Sequence, residues 1–196
     1  MLYRPTDRGL VLASGSPRRR ELLSGCGLDF ETMVPDVDER RLPGEDAATL
    51  VGRLAAEKAR AAARRRPEAW VIGADTVVVC GGEILGKPSD RTEARRMLKL
   101  LQGREHEVWG GIAVACAQIG REMAGAGVSV VRFAPLSEEE IERYLDSGEP
   151  FDKAGAYAIQ GVGAALVEAV SGSYTNIVGL DLARLFRMLK SLGALG

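Results

Sequence analysis

The chain has 196 residues, 46% of them apolar, enough to bury a core in one domain or in two closely joined ones. Its 26 basic and 27 acidic residues leave a net charge of −1, which excludes a chain drawn as a whole to nucleic acid or to an anionic membrane. The three cysteines, Cys26, Cys80 and Cys116, are far apart, which fits neither a zinc site nor a disulfide framework and points to a reducing, cytoplasmic setting.

Arg4, Asp7 and Arg8 precede the first apolar stretch, and no run approaches the ~20 apolar residues of a spanning helix, so neither a signal peptide nor a membrane span is expected. Residues 9–13 (GLVLA) read as a buried strand. Ser14-Gly15-Ser16 then turns the chain, and Pro17 suits the first position of a short helix capped by Ser16 and running to about Gly25. A second strand is expected over 30–34, followed by the acidic loop Pro35-Asp36-Val37-Asp38-Glu39. Residues 46–66 predict a long helix with Leu50, Val51, Leu54, Ala55, Ala61 and Ala62 on one face. The clearest strand is 70–80, and Gly81-Gly82 folds it into a hairpin with 83–85. A helix over 92–101 follows, then strands over 108–119 and 128–133 around Gly120. Ser137-Glu138-Glu139-Glu140 opens another helix with acid in its first turn, as the helix dipole favours. A Gly-rich stretch, 155–163, leads into a strand over 164–170, and 173–189 predicts a final helix. Mixed strands and helices with several hairpins indicate an α/β sheet that is not purely parallel.

Four features run against these patterns. Arg18, Arg19 and Arg20 crowd the first turn of a helix, where the dipole opposes cations by about 0.3–1 kcal/mol each. An anion at that N-terminus would reverse the penalty; the alternative is a solvated arginine cluster beside an ordinary cap. Asp75 interrupts the apolar strand, which is costly for a carboxylate without a partner. Alternation puts it on the same face as Gly73, which leaves space beside it. A functional role is the favoured reading, against a structural Asp bonded to a neighbouring backbone. Lys58 lies on the apolar face of its helix, while Arg53, Arg60 and Arg64 lie largely off it; such a lysine either snorkels or points into a site. Asp36, Asp38 and Glu39 offer loop oxygens of the kind that suit Mg²⁺ or Mn²⁺, or form a plain polar loop.

Cations to hold phosphates, a strand-borne carboxylate and loop acids for a metal together make the inventory of a metal-assisted phosphoryl-transfer site. There is no P-loop and no dinucleotide fingerprint, and nothing around the sole histidine, His106, points to a Ser-His-Asp or Cys-His engine.

These residues resemble the Maf family of nucleotide pyrophosphatases over nearly the whole chain. The resemblance runs from Leu12-Ala13-Ser14-Gly15-Ser16-Pro17-Arg18-Arg19 through Gly73-Ala74-Asp75-Thr76-Val77, Gly86-Lys87-Pro88 and Asp152-Lys153-Ala154-Gly155-Ala156-Tyr157-Ala158-Ile159-Gln160-Gly161 to Gly172-Ser173-Tyr174-Thr175-Asn176-Ile177-Val178-Gly179-Leu180. It implies a single Maf-like domain over 1–196, with an inosine-triphosphatase-like α/β fold of elongated mixed β-sheet flanked by helices, in a homodimer. It also implies Mg²⁺- or Mn²⁺-dependent attack of water on the α-phosphate of a nucleoside triphosphate, with pyrophosphate leaving. By matching motif, Asp75 would be the general base and a metal ligand, and Glu39 would bind metal or orient water. Ser14, Arg18, Arg19, Lys58 and Lys87 hold phosphates, and Arg18, Thr76 and Gln160 set base choice.

Two departures stand out: Gly110 where the family usually has threonine, and Asp181 where it usually has proline. The resemblance leaves three activities open: hydrolysis of dTTP and UTP, hydrolysis of 7-methyl-GTP, and a non-enzymatic role in cell division and septum formation. The intact Asp75, Lys58 and Lys87 favour an enzyme. An amide at Gln160 can accept from the N3–H and donate to the O4 of uracil or thymine, which favours the first; the alternative is that Gln160 bonds its own Gly-rich loop.

Overall fold

The computed structural model describes residues 7–195; Arg4, one of the charges ahead of the first apolar run, lies outside them. In chain order the elements are β1 (Leu10–Ala13), α1 (Pro17–Gly25), β2 (Glu31–Thr32), α2 (Ala47–Arg65), β3 (Trp70–Cys80), β4 (Glu83–Leu85), α3 (Arg91–Leu101), β5 (Glu105–Cys116), β6 (Arg121–Phe133), α4 (Glu138–Asp146), β7 (Val167–Ser171), α5 (Tyr174–Val178) and α6 (Leu182–Ser191). The sheet is mixed, as expected, in the order β2-β1-β3-β5-β6-β7 with β4 paired to β3. β1 runs parallel to β2 and β3, whereas β4 is antiparallel to β3 and β7 to β6.

The chain divides into two compact units, one of residues 1–75, 110–127 and 179–196, the other of 76–109 and 128–178. In the first unit β1 and the start of β3 are buried on both faces, so their sequence there is a continuous apolar run, whereas β2 and residues 121–124 of β6 are exposed. Leu10, Leu12, Trp70 and Ile72 point to the side where Leu23 of α1 and Leu185 and Leu189 of α6 pack. Val11, Ala13 and Val71 point to the opposite side, against Ala55, Ala59 and Ala62 of α2. Alanines let that helix come close. A Cβ at Gly73 would stand 2.1 Å from the Ala55 carbonyl oxygen, and one at Gly111 would stand 2.0 Å from that of Val51. The space beside Gly73 is therefore filled by the backbone of α2.

The second unit packs Val78, Leu85, Val131 and Phe133 against Leu98 and Leu101 of α3 and Ile141, Tyr144 and Leu145 of α4. Asp46, Asp90, Ser137 and Asp181 cap their helices, and Ser137 and Glu140 form a reciprocal capping box. Asp181, the departure from the family pattern, thus accepts from the Arg184 N–H and starts α6.

Five expectations need correction. The strands over 108–119 and 128–133 are Glu105–Cys116, which stops before a 3-10 turn at Ala117–Ile119, and Arg121–Phe133. The strand over 30–34 shrinks to Glu31–Thr32, with one more bond from the Met33 N–H to the Leu12 carbonyl. The strand over 164–170 begins only at Val167, because residues Gly161–Leu166 coil into a 3-10 turn whose first N–H groups are taken by a side-chain carboxylate, Glu149. The helix over 173–189 is two helices: the chain turns at Gly179, with φ 134°, and Asp181 caps a new start. Among the described residues no helix is long and apolar enough to cross a membrane.

Candidate active site

The first unit holds six of the expected residues: Ser14, Arg18, Arg19, Glu39, Lys58 and Asp75. β1 ends at Ala13, and the Ser14-Gly15-Ser16 turn delivers the chain to the N-terminus of α1. Ser16 caps the helix by accepting from the Arg19 N–H, while its own N–H donates to Ser14 Oγ at 3.2 Å. Arg19 then folds back over the turn. Its Nη1 donates to Ser14 Oγ at 3.1 Å and to the Ala74 carbonyl at 2.9 Å, and its Nε donates to the Gly179 carbonyl at 2.8 Å. Main-chain acceptors on β3 and ahead of α6 therefore hold a cation at the end of β1. Burial lowers the Arg19 pKa from its usual value, a shift that the nearby Asp75 carboxylate opposes and the charge of Arg18 reinforces. Guanidinium nonetheless stays charged in proteins. Arg18 is half-buried and Arg20 exposed.

Asp75, 8% exposed, points from β3 toward α2, as its alternation with Gly73 requires. Lys58, also 8% exposed, meets it: Nζ donates to Asp75 Oδ1 at 2.7 Å. The same ammonium lies 2.6 Å from Glu39 Oε1. Asp75 Oδ2 makes no hydrogen bond among the described residues. Lys58 is thus aimed into a polar cluster and does not snorkel. The close approach of α2 at Gly73, two residues from Asp75, is what lets a short-range contact form between helix and strand.

The acidic loop separates into different roles. Asp38 pairs with Arg40 at 2.6 Å on the surface, and that hydrogen bond draws its carboxyl down to about 2. Asp36 is exposed. Only Glu39 reaches Lys58. The loop that carries it is fastened to α2 by residues that sequence reasoning left aside. Arg53 donates to both oxygens of Glu45, at 2.6 and 2.9 Å, and to the Arg40 carbonyl at 3.1 Å, while Glu45 accepts from the Leu42 N–H. Arg53 does lie off the apolar stripe, but it works on this loop. The visible signal was a Glu45 eight residues before an arginine across a helix start.

Asp75 and Glu39 are two carboxylates converging on one ammonium. Hard oxygen donors of this kind suit Mg²⁺ or Mn²⁺, which commonly take one or two carboxylates and complete their shell with water and phosphate oxygens. Among the described residues no group of three or more His, Cys, Asp and Glu side chains forms a fuller metal site.

The other expected residues belong to the second unit. Thr76 follows Asp75 on β3 and is half-buried. Lys87 is exposed between β4 and α3, next to Gly86, whose carbonyl accepts from the Gly155 N–H at 3.0 Å. Gln160 is exposed and stands at the head of the Gly161–Leu166 turn, with no side-chain capping bond to that turn. His106 is buried, bonded through Nε2 to the Tyr157 hydroxyl at 2.8 Å and set edge-on to Phe133 and Tyr157. Its Nδ1 has no partner among the described residues, so no carboxylate orients it as in a Ser-His-Asp relay. Gly110, the other departure from the family pattern, is buried in β5.

The family model described as Maf-like protein matches residues 9–192. Among similar proteins, the dTTP/UTP pyrophosphatase of Symbiobacterium thermophilum is 52% identical over 184 residues, 94% of each chain. That of Geobacter metallireducens is 49% identical over 191 residues, 97% of this chain and 100% of its own. That of Hahella chejuensis is 51% identical over 192 residues, 96% of this chain and 94% of its own.

Proposed function

Since the chain belongs to the Maf family, we propose that it hydrolyses dTTP and UTP, or modified pyrimidine triphosphates, to the monophosphate and pyrophosphate. The observation that carries this reading is the buried Asp75 held at one oxygen by Lys58, with a fixed guanidinium of α1 held to the Ala74 carbonyl of the same strand. The names of the similar proteins support the pyrimidine substrates over 7-methyl-GTP. The family match spans segments of both compact units, which supports one functional domain over residues 1–196. Kinship with the family also supports a cytoplasmic homodimer.

In this mechanism Asp75 is the general base. Lys58 fixes Oδ1, and Oδ2 takes a proton from water as the water oxygen bonds to the α-phosphorus. The bond from that phosphorus to the bridging oxygen breaks, and pyrophosphate leaves. Ser14, Arg18, Arg19, Lys58 and Lys87 hold the phosphate oxygens; cations already fixed in place need little reorganisation as charge develops. Asp75 and Glu39 would hold a divalent cation, Mg²⁺ or Mn²⁺, which when bound supplies charge neutralisation at the phosphates. Arg18, Thr76 and Gln160 set base choice, and the exposed, uncapped amide of Gln160 supports that role.

The test is to incubate the protein with Mg²⁺ and a panel of nucleoside triphosphates and to follow which are consumed and whether pyrophosphate or phosphate appears. Pyrophosphate from dTTP and UTP is expected, and its near-complete loss in Asp75→Asn with an unchanged circular dichroism spectrum. Release of single phosphates, or full turnover in Asp75→Asn, would refute the mechanism.

A further inference from the structure

Gln160 is exposed, yet the main chain around it is firmly held. Tyr144 of α4 is buried, at 3% exposure. Its hydroxyl accepts from the Ala158 N–H at 3.1 Å and donates to Glu149 Oε1 at 2.9 Å. Glu149 also accepts from the Gly163 N–H at Oε1, 2.9 Å, and from the Val162 N–H at Oε2, 3.0 Å. One phenol–carboxylate pair therefore grips the backbone two residues before Gln160 and two and three residues after it. The glycines of this stretch are shaped to that grip. Gly161 has φ +66°, and a Cβ there would lie 2.2 Å from Glu149 Oε2. At Gly163 a Cβ would lie 2.4 Å from the Ala158 carbonyl and 2.6 Å from the Tyr144 hydroxyl. Glu149 is itself braced, since Lys153 Nζ donates to its carbonyl at 2.6 Å.

We infer that Tyr144 and Glu149 are positioning residues for base recognition: they hold the 158–163 backbone so that the Gln160 amide is presented in one fixed orientation. The inference rests on the proposed reading of Gln160. Its physical basis is preorganisation. A loop ordered before substrate arrives loses less entropy on binding, and a bidentate amide contact tolerates little displacement. A carboxylate suits this duty because it only accepts, and three donors converge on it. An amide in its place must turn an N–H₂ toward at least one of those donors.

The experiment compares Glu149→Gln with the parent protein on UTP and GTP, alone and combined with Gln160→Ala. Glu149→Gln is expected to raise KM for UTP by about tenfold, the scale of one weakened hydrogen bond, with kcat changed far less, and to shrink the preference for UTP over GTP. In the Gln160→Ala background the same change should have little further effect on UTP, because the pair acts through that amide. Tyr144→Phe, which keeps the ring in the core and strips the Ala158 N–H of its acceptor, should shift the preference the same way and serves if Glu149→Gln does not fold. An unchanged UTP-to-GTP ratio, or equal effects with and without Gln160, would overturn the inference and leave the proposed function standing. Failure of the parent protein to release pyrophosphate from UTP would instead overturn the proposed function, and this inference with it.

Discussion

Replacing Lys58 by methionine isolates the interaction at the centre of the candidate site. The side chain keeps its length and its packing on α2 but loses the ammonium that bridges Asp75 at 2.7 Å and Glu39 at 2.6 Å. The two halves of the bridge are unequal. The Glu39 side chain is 60% exposed, so water replaces its partner and that half is worth about 0–1 kcal/mol. The Asp75 side chain is 11% exposed and loses the ammonium hydrogen-bonded to it, with the Arg19 charge still nearby; removing one partner of a buried pair costs about 3–5 kcal/mol. For a chain of this size each kcal/mol moves Tm by about 2–4 °C, so a fall of roughly 6–20 °C is expected. The assay is thermal unfolding by circular dichroism at pH 8, run on Lys58→Met and on Lys58→Met combined with Asp75→Asn. The double variant removes the Asp75 charge and should recover most of the loss. A single variant that melts within about 2 °C of the parent, or a double variant no more stable than the single one, would show that the Asp75 charge does not set the penalty.

Gly73→Ala should destabilise the protein by about 3 kcal/mol or more, because the new methyl meets main-chain atoms of Ala55 and Ala59 and not a flexible side chain; a urea midpoint equal to the parent's would refute that close approach. His106 should make the protein acid-sensitive. Burial lowers its pKa from 6.5 to about 4. The folded imidazole is therefore neutral where the unfolded one takes up a proton, and stability present above pH 6.5 is lost as pH falls toward 4, by roughly 3 kcal/mol. In His106→Gln, urea unfolding across that window should lose this part of the pH slope; an identical slope would show that other groups carry it.

The sequence by itself determined most of the element types and two of the caps, Ser16 and Ser137. Strand burial on both faces is written in the apolar runs of 10–13 and 70–72, and helix starts are written in Ser16, Asp46, Ser137 and Glu140, because these signals act within a few residues. It also marked Asp75, Lys58 and the arginines after Ser16 as anomalies, since a charge in an apolar pattern is legible without knowing its partner. Partner choice was not legible. That Lys58 meets Asp75, that Arg19 binds the Ala74 and Gly179 carbonyls, and that Glu39 alone of the loop acids reaches the ammonium are matters of which backbone comes near which. Tertiary contact likewise moved the start of β7 and split the last helix, where Glu149 captures the N–H groups of 162 and 163 and where Gly179 turns the chain. Local propensity cannot foresee either event, because a backbone group takes whatever partner the fold brings within hydrogen-bonding distance, and that distance is fixed only once the helices and the sheet have packed.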